Sequence, residues 1–390
     1  MNVQFLNLKP QYYQFKEEID NKVLEVLESH QFILGKYVSE FEQNIQNYLN
    51  VKYAIGVTSG TDALLIALMA LDIKPGDEVI VPDYTFIATA NGISRIGAVP
   101  VFVDIDIHDF NISIEDIKKK ITPKTKAIIP VHLYGQTANI DAIMEIAKEN
   151  NLYVIEDVAQ AFGAKDSNSR FLGTIGHIGA FSFYPSKNLG GFGDGGMVTT
   201  NDEQLYKKLL MLRVHGSDRR YYHDLISGNF RLDALQACIL NIKLKGVNGW
   251  LDERNRIANL YTKLFIDNKL SIANDINFSE NNKVILPLDF HNKNNIKYTH
   301  TYNQYVIRIE NKRDELKSFL ADNGIGTEIY YPLPLHKQKC FEYLNLSDNN
   351  FQVSNLLAKQ TLALPIYPGL KNEEIFYVVE KIKEFFNKIG

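Results

Sequence analysis

Apolar residues recur at helical spacing through the first fifty positions of the chain. The repeat has two parts, one made of Phe15, Ile19, Val23, Val26 and Leu27 and one made of Phe41, Ile45 and Leu49. Gly35 lies between the two parts and is expected to turn the chain. The pattern predicts an N-terminal arm of two helices that pack on the main domain.

From residue 53 onward, short apolar runs alternate with helical patterns. The predicted strands are 53–59, 77–82, 99–106, 126–135 and a run that starts at 152 and ends near Asp157. The predicted helices begin near Thr61 and cover 85–97, 114–121 and 140–151. Nearly continuous apolar strands separated by helices are typical of a parallel sheet that is covered on both faces. The fold class is therefore predicted to be α/β.

The second half of the chain is predicted to lead into a smaller domain. The expected helices are 205–216, 231–265 with breaks near Gly246 and Gly249, 315–325 and 372–389, and the expected strand is 302–309. The Asn-rich stretch 267–298 is interpreted as loops and edge strands. We expect an N-terminal arm and large domain over 1–245 and a small C-terminal α+β domain over 246–390.

Composition excludes several classes of function. The 390 residues include 45% hydrophobic residues and carry a formal charge of −4, which gives no reason to expect nucleic acid or an anionic membrane as a partner. Two cysteines provide neither a disulfide framework nor a zinc site, so no metal is expected. The polar N-terminus lacks the apolar segment of a signal peptide, which favours a cytoplasmic location.

Lys187 is placed where a chemical role is expected. An apolar run from Ala180 to Tyr184 ends at Pro185, Lys187 follows, and five glycines occupy positions between Gly190 and Gly196. A strand end that leads a lysine into a glycine-rich turn can present a buried amine to a ligand. We interpret Lys187 as the amine that forms a Schiff base with an aldehyde cofactor.

Other residues match the needs of pyridoxal phosphate. Asp157 can keep the ring nitrogen protonated, and Ser59-Gly60-Thr61, between a strand and a helix, can form an anion seat together with Ser182. Phe86 can cover the ring. Each residue alone also has a structural interpretation, such as helix capping by Ser59 or Thr61 or a core position for Phe86. Their combination in one α/β domain favours the cofactor.

The sequence resembles the nucleotide-sugar aminotransferases, a branch of the fold-type-I pyridoxal phosphate enzymes. The resemblance covers nearly the whole chain, and its main motifs are SGTDAL (59–64), GDEVIVPDYTFIATA (76–90), VIEDVAQAFGA (154–164), SFYPSKNLGGFGDGG (182–196) and NFRLDALQACIL (229–240). It implies a large domain with a mostly parallel sheet and a smaller C-terminal domain. It also implies pyridoxal 5'-phosphate as cofactor, with pyridoxamine 5'-phosphate as the intermediate form.

The resemblance assigns roles to individual residues. It makes Lys187 the Schiff-base lysine and pairs Asp157 with the pyridine nitrogen. It implies the following further cofactor contacts: Gln160 to the ring oxygen, Gly60, Thr61 and Ser182 to the phosphate, and Phe86 to the ring face. Asn229 is implied to reach the phosphate of the neighbouring subunit's cofactor, which makes a homodimer the catalytic unit.

The lysine distinguishes two branches of the family. Sugar dehydratases that depend on pyridoxamine phosphate have a histidine at this position. A lysine can shuttle the proton between cofactor and substrate carbon in both halves of transamination. Lys187 therefore predicts an aminotransferase.

Motifs near the chain ends narrow the expected substrate. FLNLKPQY (5–12), QFILGK (31–36), ITPKTKAIIPVHLYGQ (121–136) and YYPLPLHKQ (330–338) are most similar to enzymes that aminate C-3 of dTDP-linked 3-keto-6-deoxyhexoses, with L-glutamate as donor. Such products are precursors of surface polysaccharides, including lipopolysaccharide, or of glycosylated natural products. The alternatives are amination at C-4, a UDP-sugar substrate, or a non-catalytic regulatory protein that binds the cofactor.

Candidate contacts for the sugar or its diphosphate are Tyr184, Arg219, Arg220, Tyr331 and His336. Surface or packing roles are equally open for each of them. Arginine side chains pair with phosphate oxygens in a fork, which suits Arg219 and Arg220. The chain departs from the family pattern at Asn303, where relatives often have a histidine.

Overall fold

The computed structural model describes residues 1–292 and 295–388. Three helices open the chain: α1 (Lys9–Gln14), α2 (Lys16–Ser29) and α3 (Lys36–Leu49). The apolar repeats of the sequence largely form their buried faces, although Leu27 is 44% exposed. Both longer helices end at a left-handed residue, His30 after α2 and Asn50 after α3.

A seven-stranded sheet forms the centre of the large domain. Its strands are β1 (Tyr53–Val57), β2 (Glu78–Pro82), β3 (Val99–Val103), β4 (Thr125–Ile128), β5 (Tyr153–Asp157), β6 (Ile178–Ser182) and β7 (Gly196–Thr200). Their order across the sheet is β1-β7-β6-β5-β4-β2-β3, and β7 runs antiparallel to both of its neighbours. The other pairings of adjacent strands are parallel, which confirms the predicted mostly parallel sheet.

Helices cover both faces of this sheet. They are α4 (Gly60–Ala70), α5 (Ala88–Arg95), α6 (Ile114–Lys120), α7 (Ile140–Glu149) and α8 (Glu203–Arg213). Successive residues of one strand pack on opposite faces of the sheet. Val79 and Val81 of β2 share a core with α4 and α5, whereas Ile80 packs with α6 and α7. Burial on both faces explains why these strands are continuously apolar.

The C-terminal part contains a second, smaller sheet. Its helices and strands are α9 (Ala234–Leu244), α10 (Val247–Asp267), β8 (Val284–Ile285), β9 (Tyr305–Ile309), α11 (Arg313–Asp322), α12 (Gln352–Gln360), β10 (Thr361–Leu364) and α13 (Asn372–Lys388). The strands pair antiparallel in the order β10-β9-β8. Two predictions extend past the described residues: Ile389 of the last helix and positions 293–294 of the loop region lie outside them.

Two of the differences between the predicted and the observed elements have a clear physical reason. The strand expected over 126–135 ends at Ile128, since Pro130 has no N–H to donate and a tight 3₁₀ turn follows at Leu133–Gly135. The break expected near Gly246 separates α9 from α10, but Gly249 lies inside α10. No side chain from elsewhere approaches a Cβ built at Gly249, so the helix continues without obstruction.

Helix α10 connects the two domains. Leu251, near its start, lies in a core with α3 and the large sheet, whereas Ile257 and Phe265 lie in the core of the small domain. The core to which α10 contributes therefore changes along the helix, and the domain boundary at 245/246 stays a prediction. Val3, at the start of the chain, also packs into the small-domain core, through backbone bonds to Gly324 and from Gly326.

Candidate active site

The ends of four strands surround a cavity of 480 Å³ in the large domain. Ser59 follows β1, Phe86 follows β2, Asp157 ends β5 and Lys187 follows β6, and all four residues line the cavity. Ligands of open α/β sheets bind at this edge, beyond the carboxyl ends of the strands. A larger, open groove of 830 Å³ runs beside α1 and α2, but none of the predicted site residues lines it.

Lys187 and Asp157 form the charged centre of the cavity. Burial lowers the pKa of Lys187 to about 8, although the charge of Asp157 acts in the opposite direction. Burial raises the pKa of Asp157, and hydrogen bonds from the N–H of Ala159 at 3.1 Å and the hydroxyl of Thr89 at 2.9 Å oppose that shift. The structure thus places an amine that is easily deprotonated near a buried acid, which is the pair that pyridoxal phosphate requires.

The residues of the predicted anion seat lie at the start of α4 and at the end of β6. Ser59 caps the helix by accepting a hydrogen bond from the N–H of Asp62 at 3.1 Å, while Gly60, Thr61 and Ser182 line the cavity. Capping and an anion seat are therefore compatible in this structure. A Cβ built on Gly60 would lie 2.7 Å from the Cβ of Ser182, so the close approach of these two chain segments requires glycine.

Aromatic and amide groups border the place for a planar ring. Phe86 is 54% exposed, and its ring centroid lies 6.2 Å from that of Tyr331. Gln160 is fixed at both ends of its amide: its Oε1 accepts the N–H of Tyr134 at 2.7 Å, and its Nε2 donates to the hydroxyl of Tyr331 at 3.1 Å. Phe86, Gln160 and Tyr331 all line the cavity, and their contacts with a cofactor or substrate stay predictions.

The other predicted contacts are divided between the cavity and the surface. Tyr184 lines the cavity, whereas Arg219 and Arg220 are exposed and lie over the rings of neighbouring tyrosines. Asn229 does not line this chain's cavity, and its role toward a second subunit stays a prediction.

His336 is also absent from the cavity wall. Its ring is buried, and both ring nitrogens are engaged by carboxylates, Nδ1 by Asp83 at 2.6 Å and Nε2 by Asp348 at 2.9 Å. The structure therefore does not place His336 in direct contact with a substrate in the cavity.

Several lining residues were not predicted from the sequence. They are Thr85, Thr89, Asp194, Gln304 and Tyr330, together with apolar and small neighbours. Thr89 holds Asp157, but a single threonine within a helix carries no signal of that role. Asn303, the departure from the family pattern, is buried and donates from Nδ2 to the Oδ1 of Asn188 at 3.0 Å.

Two further findings concern the described part of the chain. Within residues 1–292 and 295–388, no cluster of three or more His, Cys, Asp or Glu side chains is arranged to hold a metal ion. Over the same residues, every helix is too short or too polar to span a bilayer.

Comparison with known proteins identifies the family. The model of the DegT/DnrJ/EryC1/StrS aminotransferase family matches residues 13–383. The chain belongs to this family. The predicted aminotransferase activity and the resemblance to sugar aminotransferases are thereby confirmed.

Relatives of known name cover almost the full chain. A "Pleiotropic regulatory protein" of Geobacillus stearothermophilus is 46% identical over 386 residues, which are 99% of each chain. A UDP-N-acetyl-3-dehydro-alpha-D-glucosamine 3-aminotransferase of Acidithiobacillus ferrooxidans is 40% identical and aligns over 98% of this chain and 97% of its own. A dTDP-3-amino-3,6-dideoxy-alpha-D-galactopyranose transaminase of Aneurinibacillus thermoaerophilus is also 40% identical, over 98% and 99% of the two chains.

Solved structures share the whole fold. DesV of S. venezuelae, in complex with a ketimine intermediate, is 37% identical, covers 98% of both chains and superposes with a TM-score of 0.90. NtdA of Bacillus subtilis, with bound cofactor PMP, is 31% identical with a TM-score of 0.85 and covers 97% of this chain and 85% of its own. The predicted fold class is confirmed, and the predicted cofactor is of the kind that NtdA binds.

Proposed function

We propose that this aminotransferase uses pyridoxal phosphate to move the amino group of L-glutamate to C-3 of a dTDP-linked 3-keto-6-deoxyhexose. The observation that carries the proposal is the cavity itself. It combines Lys187, whose pKa burial lowers to about 8, with the buried acid Asp157 and the helix start at Gly60. The product would be a dTDP-3-amino-3,6-dideoxyhexose for the synthesis of surface glycans such as lipopolysaccharide.

Different residues around the cavity are proposed to bind the cofactor and to transfer protons. Pyridoxal phosphate, when bound, supplies an aldehyde that carries the amino group and a ring that withdraws electrons. Lys187 would hold the cofactor and move protons at its Nζ, and Asp157 would keep a proton on the ring nitrogen. The residues proposed to hold the remaining parts of the cofactor are Gly60, Thr61 and Ser182 for the phosphate, Phe86 for the ring face and Gln160 for the ring oxygen.

The names of relatives support C-3 as the position of amination. Both the UDP-sugar enzyme of Acidithiobacillus ferrooxidans and the dTDP-sugar enzyme of Aneurinibacillus thermoaerophilus are named for a 3-amino or 3-keto position. Amination at C-4 has no such support among the relatives cited above.

The nucleotide has two candidates, because the relatives above divide evenly between them. The dTDP-sugar enzyme and the UDP-sugar enzyme are each 40% identical to this chain. The chain-end motifs of the sequence favour dTDP, and a UDP-linked 3-keto sugar is the second candidate. Tyr184 and Tyr331 are proposed to contact the sugar, since both line the cavity.

A homodimer with shared sites is part of the proposal. In this chain's cavity, Lys187 is the only lysine or arginine among the described lining residues, yet a nucleotide sugar brings a diphosphate and glutamate brings two carboxylates. Asn229, Arg219 and Arg220 lie outside this chain's own cavity wall and are proposed to act in the site of a second copy.

A regulatory protein without catalysis is the alternative of another class. It draws support from the name of the Geobacillus stearothermophilus relative. The enzyme is favoured because this chain retains both Lys187 and Asp157 inside one cavity.

The test of this proposal is to supply 3-keto and 4-keto sugars linked to dTDP or UDP together with ¹⁵N-labelled glutamate. We expect NMR to find the label on C-3 of the dTDP-sugar, and a Lys187→Ala protein serves as the control without turnover. Label at C-4 alone contradicts the position, and preference for the UDP-sugar replaces the first candidate nucleotide with the second. No labelled sugar from any of the four substrates favours the regulatory alternative.

A further inference from the structure

His336 lies buried between two carboxylates, outside the cavity. Its Nδ1 is 2.6 Å from an Asp83 oxygen, its Nε2 is 2.9 Å from an Asp348 oxygen, and its ring stacks on Phe351 with a centroid distance of 4.3 Å. An ionised carboxylate only accepts hydrogen bonds, so both ring nitrogens must donate. Only the imidazolium form has two N–H groups, and the geometry therefore describes a histidine cation.

The backbone of the same segment also binds Asp83. The N–H of His336 donates to the Asp83 carboxylate at 2.8 Å, and the N–H of Leu335 donates to the Asp83 carbonyl at 2.8 Å. Asp83 has no exposed surface, and Leu335 is buried in the large-domain core. The segment around His336 is thus fastened to the residue that follows β2.

Both chain stretches lead directly into the wall of the cavity. Asp83 is followed by Tyr84 and, two residues later, by Phe86, while Tyr330 and Tyr331 precede His336. The hydroxyl of Tyr84 accepts the N–H of Tyr331 at 2.8 Å and donates to the carbonyl of Tyr330 at 2.9 Å. The contact of Asp83 with His336 is therefore one end of a junction whose other end holds Tyr331 against Phe86.

We propose that His336 is a positioning residue, whose cation between Asp83 and Asp348 holds Tyr331 and Phe86 in place across the cavity. The proposal rests on the proposed function, because the placement of these two rings matters only when the cavity binds cofactor and substrate. His336 does not line the cavity, so its effect passes through Asp83 and the tyrosines.

The lysines near this contact pair with other acids, so Asp83 depends on His336 for a neighbouring positive charge. Lys337 pairs with Asp348 at 2.8 Å rather than with Asp83. Lys120 pairs with Asp116 at 3.0 Å and lies over the ring of Phe351, 4.6 Å from its centroid.

Asp104, a second acid near Asp83, has its own hydrogen bonds from Val353 and Ser354. Its charge and, above all, burial raise the pKa of Asp83. Loss of the histidine charge would leave the Asp83 carboxylate buried without a neighbouring cation.

This arrangement has a defined pH dependence. Burial opposes the charged ring, but the hydrogen bonds and charges of Asp83 and Asp348 outweigh it and raise the pKa of His336 above its usual value. A raised pKa means that the contact stabilises the fold fully below the unfolded value of about 6.5 and that this contribution is lost as the pH rises through the folded value.

The test compares cofactor binding by wild-type protein and by His336→Gln, which keeps a polar side chain but removes the charge. Absorbance titration at about pH 6.5 is expected to give a cofactor dissociation constant roughly tenfold higher for the variant, with a similar rise in the KM of the keto-sugar and a smaller change in kcat. The ratio of the two constants should approach one at pH values above the His336 pKa, since Lys187 affects both proteins alike.

Further variants make the readout specific to this contact. Asp83→Asn should give the same loss, and the double variant should be no worse than either single one, because the two residues act as a unit. Asp348→Asn, at the exposed side of the ring, should cause a two- to threefold loss at most and lower the His336 pKa. His108→Gln is the matched control: it also removes a histidine that contacts an aspartate, Asp106, at 2.7 Å, but the side chain is 36% exposed and does not line the cavity.

A second readout requires neither cofactor nor turnover. In ¹⁵N NMR of the histidine rings, the resonance lost in His336→Gln should titrate above the ordinary histidine pKa in the wild type. Titration at or below that value, or wild-type cofactor affinity in folded His336→Gln, overturns the positioning role. If His336→Gln does not fold, an unchanged His336 pKa in Asp348→Asn also overturns it. A wild-type protein that binds no cofactor instead contradicts the proposed function.

Discussion

At the scale of single residues, the account depends on the surroundings of Lys187. The sequence could predict this lysine because a strand, a proline and a glycine-rich turn surround it. It could not predict how far burial lowers the pKa, to about 8, since that depends on the walls contributed by distant parts of the chain. Thr89, which holds Asp157 by one hydrogen bond, was missed for the same reason.

The pKa of Lys187 leads to a prediction about cofactor attachment. Only a neutral amine attacks an aldehyde, so attachment of pyridoxal phosphate to apo-protein should accelerate about tenfold per pH unit below about 8 and level off above it. Stopped-flow absorbance over this range measures the rate, and Lys187→Ala reports the background from other lysines. A rate that keeps rising toward pH 10, as for an ordinary lysine, contradicts the prediction.

At the scale of elements, the helices and strands around the site were largely predictable. The apolar runs predicted the strands of the sheet. Ser59-Gly60-Thr61 predicted the start of α4, because a helix cap and an anion seat need the same residue types. The contact of α4 with the end of β6 was not predictable, since nothing in the local pattern shows that Gly60 meets Ser182.

Two glycine substitutions test the close contact between Gly60 and Ser182. Gly60→Ala forces its Cβ to within 2.7 Å of the Ser182 Cβ, so we expect a loss of about 1 to 3 kcal/mol in unfolding free energy and weaker cofactor binding. Gly249→Ala, on an exposed turn of α10 with open space around it, should instead stabilise the protein by about 0.5 kcal/mol and leave cofactor binding unchanged. Urea unfolding and absorbance titration measure the two effects. Equal stability of both variants would contradict the proposed close contact.

At the scale of the whole molecule, contacts between distant parts of the chain decide what the sequence pattern cannot. Asp83 and His336 lie 253 residues apart, and no periodicity in the sequence relates them. Likewise, no local pattern in the sequence shows that α10 contributes residues to two cores. The sequence therefore predicts the parts of the fold more completely than the junctions between them.

Arg254 provides a test of the junction that α10 forms between the two cores. Its buried Nη1 lies 3.1 Å from each of the carbonyls of Tyr302, Asn303 and Ile366, and burial lowers its pKa to about 10. Arg254→Met leaves these carbonyls without a donor, and we expect it to destabilise the protein by about 3 kcal/mol.

Arg256 of the same helix is the matched control, because its side chain is 41% exposed and pairs with Glu253. Arg256→Met should cost at most about 1 kcal/mol. Chemical unfolding of the two variants gives both values, and similar losses for Arg254→Met and Arg256→Met would remove the special role of the buried arginine.

The central claim is that the cavity around Lys187 holds pyridoxal phosphate and accepts an amino group from glutamate. The most direct measurement is the visible absorption spectrum of the protein loaded with pyridoxal phosphate, before and after addition of L-glutamate. We predict that the loaded protein is yellow and that glutamate bleaches this colour. We also predict that the Lys187→Ala protein shows no turnover. A wild-type protein that stays colourless after addition of the cofactor, or whose colour glutamate does not change, would contradict the account.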